Sequence, residues 1–224
     1  RPGVHLILFD SIASPQARRS FPKTVAYIEK HFEAVHFRHV NRVGENSAPN
    51  GAAFLFNKML APIDRHMFGG SRIEPDFSHA GFCGRCHDND SFILQQFEEV
   101  GYKTMMAEDW ANGVFNWPGC CGFIKQPTTH YMRPFQNRIE DRSSHARKQM
   151  SSKHCLEPHM YLFDYLEEFM RAYPDTPLAS MIWASHLGHD WATPVFHSDR
   201  HLYDFFKRNH DQFDNSFIFL MGDH

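Results

Sequence analysis

Among these 224 residues no apolar run approaches the roughly 18 residues needed to cross a bilayer, so membrane attachment would need a segment outside this sequence. Basic clustering is missing too. With 23 Lys and Arg against 26 Asp and Glu, the formal charge is only -3, which argues against nucleic acid as a partner. There is no internal repeat and no low-complexity tract, and 22 phenylalanines with 42% hydrophobic residues exclude a disordered chain. What remains fits one domain near the upper end of the usual size range. No signal-peptide pattern opens the chain, and Arg1-Pro2 leads to the expectation that upstream sequence has been removed.

Cysteine is sparse and odd in number: Cys83, Cys86, Cys120, Cys121 and Cys155. The Cys83-Gly84-Arg85-Cys86 pair has the spacing of half a zinc site or a redox dithiol, but no second pair follows at zinc-site spacing. Adjacent Cys120 and Cys121 read as disulfide ends going to different partners, which points to an oxidising compartment. Asn89-Asp90-Ser91, a lone glycosylation sequon, is compatible with it. Histidine is abundant at 17 residues, and most must serve outside any single metal centre.

Two apolar runs end in metal-ligating residues, one at each end of the chain. Val4-His5-Leu6-Ile7-Leu8-Phe9-Asp10 opens it, and Phe217-Ile218-Phe219-Leu220-Met221-Gly222-Asp223-His224 closes it. Both read as buried strands delivering ligands to the carboxyl edge of a sheet. Leu178 to Ala184 makes a third such strand and residues 102–106 a shorter one, while residues 34–40 alternate as a half-exposed strand would. Helices are expected after Ser20 as cap with Pro22 in the first turn, over residues 51–60, 90–100 and 158–173, and over about 199–213. Residues 67–88 and 111–157 read as irregular, cysteine-bearing insertions. Strand-then-helix order predicts an α/β fold with a mostly parallel sheet flanked by helices.

Four clusters then fall at strand-to-loop edges: Asp10, Asn46-Ser47, His189-Asp190 and Asp223-His224. Each has a plain structural alternative. Asp10 could cap the next helix, Ser47 is a common turn or capping hydroxyl, and His186 with His189 could be a surface loop pair. Asp223-His224 at a terminus says little alone. Together, carboxylates and imidazoles suit zinc, manganese or magnesium, and a cation beside Ser47 would lower the pKa of its hydroxyl.

An ordered set of motifs spans nearly the whole chain. It runs Leu8-Phe9-Asp10-Ser11, Val43-Gly44-Glu45-Asn46-Ser47-Ala48-Pro49-Asn50, Gly101-Tyr102-Lys103-Thr104 and Ala107-Glu108-Asp109-Trp110. It continues with His130-Tyr131-Met132-Arg133-Pro134-Phe135, Trp183-Ala184-Ser185, His189-Asp190 and Phe219-Leu220-Met221-Gly222-Asp223-His224. In these the sequence resembles the nematode-expanded, uncharacterised sulfatase-like family of the alkaline phosphatase superfamily. The resemblance implies a doubly wound α/β catalytic domain over residues 1–224, with metal at the carboxyl ends of its strands. By the family pattern Asp10, Asp223 and His224 are metal ligands, Ser47 holds the nucleophile position, and His189 reaches the substrate or a second metal. Relatives usually carry Thr where Ser47 stands; Ser keeps the hydroxyl but not the β-branched restriction of its rotamer. The Cys-x-Pro-x-Arg context of formylglycine sulfatases is missing, which favours phosphoryl over sulfuryl transfer. Further strands and another histidine follow the late Asp-His in the superfamily, so a domain cut short at its C-terminus is expected.

The expected function is metal-dependent hydrolysis or transfer of a phosphate or sulfate ester, with zinc the first choice of metal and manganese or magnesium the others. The setting would be the secretory lumen or the extracellular face, and the substrate could be a glycan. The alternative is a non-catalytic extracellular protein that recognises anionic glycans or another ligand on a hydrolase scaffold. Oligomeric state is not readable.

Overall fold

The computed structural model describes residues 1–117, 119–153, 157–191 and 193–224. Its frame is a five-stranded sheet: β1 (Gly3–Phe9), β2 (Lys103–Glu108), β3 (His130–Tyr131), β4 (Leu178–Ala184) and β5 (Ser216–Gly222). The spatial order is β3-β2-β4-β1-β5, and every pairing is parallel. This is the α/β architecture that the alternation of strands and helices predicts.

The central strands are apolar throughout because both faces of the sheet are covered. On β4, Leu178, Ile182 and Ala184 enter one core while Ala179, Met181 and Trp183 enter the other. The period-two alternation splits β1 likewise, with Ile7 and Phe9 on one face and Leu8 on the opposite one. The first face packs against α2 (Pro22–His31), α8 (Pro158–Ala172) and α9 (Asp199–Arg208), through Leu162, Leu166, Phe169, Leu202, Phe205 and Phe206. The second packs against α3 (Ser47–Phe56) and α5 (Ile93–Glu99), where Leu55, Phe56, Phe92 and Trp183 are fully buried.

Several local expectations need correction. Residues 34–40 form no strand; Val35, Phe37 and Val40 are exposed, so their alternation has no partner to pair with. Ser20 does not cap α2 but ends α1 (Ser14–Ser20). The free amides of α2 are taken from a distance: Lys23 N and Thr24 N donate to the Asp199 carboxylate at 3.1 and 2.9 Å. Helix α3 starts at Ser47 rather than at residue 51, and Asn57 in a left-handed conformation closes it. The 67–88 stretch contains α4 (His79–Cys83), and the 111–157 stretch holds β3, α6 (Arg133–Glu140) and α7 (His145–Lys153). The expected helix over 199–213 is α9 followed by a separate short turn, His210–Phe213.

The cysteine pairs are linked to each other. Cys83 joins Cys120 and Cys86 joins Cys121, so the adjacent cysteines do go to different partners. That removes the zinc-site and dithiol readings of Cys83 and Cys86. Two disulfides fit an oxidising environment. Cys155 lies outside the described residues. Asn89 of the sequon is exposed.

Candidate metal centre

Strand pairing brings the two ends of the chain together. Phe9 of β1 lies opposite Gly222 of β5, and Asp223 N donates to Phe9 O at 3.2 Å. One residue beyond these strands, Asp10 and Asp223 therefore emerge side by side at the carboxyl edge. Asp10, Asp223 and His224 each offer a ligand atom, and these atoms lie within 4.8 Å of one another. Both aspartates are buried, and His224 Nε2 lies 3.3 Å from Asp10 Oδ1.

The chain must turn sharply to hold this cluster. Ser11 adopts a left-handed conformation at φ 58°, uncommon for a residue with a side chain. Its amide and its hydroxyl are both used at the centre. Ser11 N donates to Asp223 Oδ1 at 3.0 Å, and its hydroxyl donates to Asp10 Oδ1 at 2.8 Å and lies 3.2 Å from His224 Nε2. The 10–12 turn runs so close to β5 that a Cβ at Gly222 would collide with the Ile12 carbonyl oxygen. Ser11 is a site residue the sequence reading missed. Its only signal was its place directly after a strand-ending Asp.

Ser47 reaches the cluster from the start of α3. Asn46 is extended, α3 begins at Ser47, and the Ser47 hydroxyl lies 3.4 Å from Asp10 Oδ2. Buried Asn50 fixes the approach loop by accepting from Val43 N at 2.8 Å. It also donates to the Gly44 and Asn46 carbonyls at 3.0 and 2.8 Å. Asp10 does not cap the following helix: the N-cap position of α1 is Ala13.

His189 stands apart from the cluster. Its Nδ1 is 2.8 Å from Asp190 Oδ1, and its side chain is 57% exposed. The Asp190 hydrogen bond holds its pKa above the usual histidine value, with the charges of Asp10 and Asp223 adding to the effect. The structure thus gathers Asp10, Asp223, His224 and Ser47, and places His189 within electrostatic reach.

The donor set fits a cation. Burial first, and the neighbouring Asp10 carboxylate second, push the Asp223 carboxyl above its ordinary pKa. Its Oδ2 is buried, with no hydrogen-bond partner among the described residues. A divalent ion would satisfy that oxygen and offset two adjacent carboxylates. Two oxygens and an imidazole nitrogen suit zinc, manganese or magnesium.

The fold and site together define a parallel α/β protein with a candidate Asp/Asp/His metal centre, consistent with an alkaline-phosphatase-superfamily-like fold. Residues 1–224 match a family described as "Protein of unknown function (DUF229)", and the chain belongs to that family. No curated protein matches it.

Proposed function

We propose that this chain carries out metal-dependent hydrolysis or transfer of a phosphate or sulfate ester in the secretory lumen or outside the cell, as a sulfatase-like branch of the alkaline phosphatase superfamily. The observation that carries the reading is the convergence of Asp10, Asp223 and His224 at one sheet edge, with the unpartnered Asp223 Oδ2 among them. Zinc is our first choice of metal, by the mixed oxygen and nitrogen donors. When bound, the cation supplies a lowered hydroxyl pKa and offsets charge on a transferring group.

Ser47 is the nucleophile in this reading. Its place at the start of α3 puts the first amides of a ten-residue helix beside it, where anionic oxygens of an ester are favoured. The Ser47 hydroxyl gives up its proton to solvent, its oxygen bonds to phosphorus or sulfur as the bond to the leaving oxygen breaks, and water later releases the group and restores the Ser47 hydroxyl. His189, with its raised pKa, can give a proton to the leaving oxygen or stabilise the transferring group. Phosphoryl transfer is favoured, since no formylglycine context is present.

The test is turnover of paired aryl phosphate, phosphodiester and aryl sulfate substrates with zinc, manganese or magnesium, alongside Ser47→Ala. Metal-dependent turnover lost in S47A, with metal binding retained, supports the reading and selects the ester class. Metal binding with no turnover of any substrate shifts the assignment to a binding protein on this scaffold.

A further inference from the structure

Helices α2 and α9 lie side by side over the first core, and the groove between them carries a repeated order of side chains. The two helices start together, because Asp199, the first residue of α9, accepts from Lys23 N and Thr24 N. Lys23, Tyr27 and Lys30 then follow on α2, and Arg200, Tyr203 and Lys207 on α9. Positions three, four and seven apart share one helix face, so each helix presents cation, tyrosine and cation in turn. Tyr27 meets Tyr203 edge-on with ring centroids 5.4 Å apart, which sets the two series level. Lys207 Nζ lies 5.9 Å from the Tyr203 ring centroid. Seven residues of helix rise roughly 10 Å, so two pairs of cations flank the tyrosines at about that separation.

The groove has a volume of about 430 Å³, and His31 joins its lining beside Tyr27. No Asp or Glu among the described residues lines it. The nearby acids are engaged or lie to one side. Asp199 is committed to the α2 amides and the Thr24 hydroxyl, and Glu29 pairs with Arg18. Asp204 takes Arg200 Nε at 2.6 Å, which leaves the Nη groups of that guanidinium to donate elsewhere. Asp211 adjoins His210 at the hydroxyl end of Tyr27, and Glu33 lies beyond the end of α2. Lys23, Lys30 and Lys207 have no carboxylate partner among the described residues. The whole chain carries a formal charge of -3, so affinity for a polyanion must come from such a local concentration of positive charge.

We propose that the α2–α9 groove binds a linear sulfated glycan, with sulfates held between Lys23 and Arg200 at one end and between Lys30 and Lys207 at the other, and sugar rings lying along the tyrosine edges between them. The tyrosines decide among polyanions. One face of Tyr27 is covered by His31, stacked at 4.5 Å, and Tyr203 meets the ring edge-on. The pair therefore offers ring edges to a sugar rather than a stacking platform for bases. Ala26 is the aliphatic side chain of the lining among the described residues, too little to insert into a bilayer. A sulfated glycan also fits the oxidising environment that the two disulfides indicate. No residue of the metal centre lies in the groove, so the proposal does not rest on ester turnover.

Titration calorimetry of this chain with a heparin tetrasaccharide, and with the same tetrasaccharide after desulfation, tests the assignment. One saturable site is expected for the sulfated form, weakened by added salt, and none for the desulfated form. Lys30→Glu and Lys207→Glu change exposed side chains that hold no hydrogen bond, so the double variant should fold. It should bind roughly tenfold more weakly, or worse. Arg72→Glu, at an exposed position outside the groove, is the control and should bind as the wild type does. Phosphatidylserine vesicles and a single-stranded oligonucleotide are the competing polyanions. Tighter binding of either overturns the proposal, as does equal binding of the desulfated sugar. So does the absence of a saturable site, binding unchanged in the double variant, or an equal loss in R72E.

Discussion

The Ser47 hydroxyl lies 3.4 Å from Asp10 Oδ2, joining the first residue of α3 to the end of β1 across 37 positions of sequence. The link ties the nucleophile proposed above to the carboxylate pair that would hold a cation, so the two functions can be separated by substitution. Ligand binding should stabilise the fold by about 2.7 kcal/mol when the free metal is a hundredfold above its dissociation constant. For a domain of this size that corresponds to roughly 5–10 °C in melting temperature. Zinc or manganese should produce such a rise in the wild type and in S47A, and the rise should vanish in Asp223→Asn. A rise that persists in D223N would place the cation elsewhere.

Asn50 positions Ser47 without belonging to the ligand set. Its three bonds to Val43, Gly44 and Asn46 hold the loop that enters α3. Asn50→Ala should cost about 1–3 kcal/mol, because a buried polar network loses its centre. Hydrogen exchange at residues 43–46 should speed up while metal affinity stays the same. Affinity falling in step with stability would show that the loop and the metal centre are one cooperative unit.

The sheet was legible because its signal is local. β1, β4 and β5 are apolar runs that end in polar residues, as burial on both faces requires for β1 and β4; β5, expected to be buried, is instead an edge strand that leaves Phe217 and Phe219 exposed. Asp10, Asp223 and His224 could be named as ligands from where the runs stop. The helices between residues 133 and 153 were not legible. Arg133–Glu140 and His145–Lys153 are largely polar, and no side-chain cap bond marks the start of α6. Residues 34–40 failed the other way, since an alternating pattern makes a strand only where a neighbour offers hydrogen bonds. Ser11 escaped because its role depends on backbone geometry and on a partner 212 residues away.

The disulfides staple the 79–123 region, which carries part of the second core. Closing a loop with a sequence separation of 37 removes about 4 kcal/mol of unfolded-state entropy on the chain-entropy account. The Cys86–Cys121 bridge spans nearly the same segment and adds less. Replacing Cys83 and Cys120 together by Ser should lower stability by about 2–4 kcal/mol in denaturant melts. Phe82, beside Cys83, packs on Phe56 and His87, so the loss should spread to α3. A melt unchanged in the double variant would show that the second bridge alone suffices.

Glu108 supplies the pH dependence with the clearest sign. It ends β2 with its carboxyl buried, and its Oε1 accepts from Val114 N at 2.8 Å. Burial pushes its pKa up to about 7, with the charge of Asp109 adding to the rise and the Val114 bond and Arg133 opposing it. Unfolded, a glutamate titrates near 4.3. Between those two values the folded chain holds the proton that the unfolded chain has lost, so raising the pH destabilises the fold across that window. The full cost, up to about 4 kcal/mol, is reached above pH 7 and is zero below pH 4. Glu108→Gln keeps an acceptor for Val114 and has no proton to lose. Its stability relative to wild type should therefore climb from pH 4 to pH 7 and level off beyond. Chemical denaturation of both proteins across that range reads the difference directly. A flat difference would mean that Glu108 ionises in the fold near its ordinary pKa, with Arg133 and the Val114 amide compensating in full for its burial.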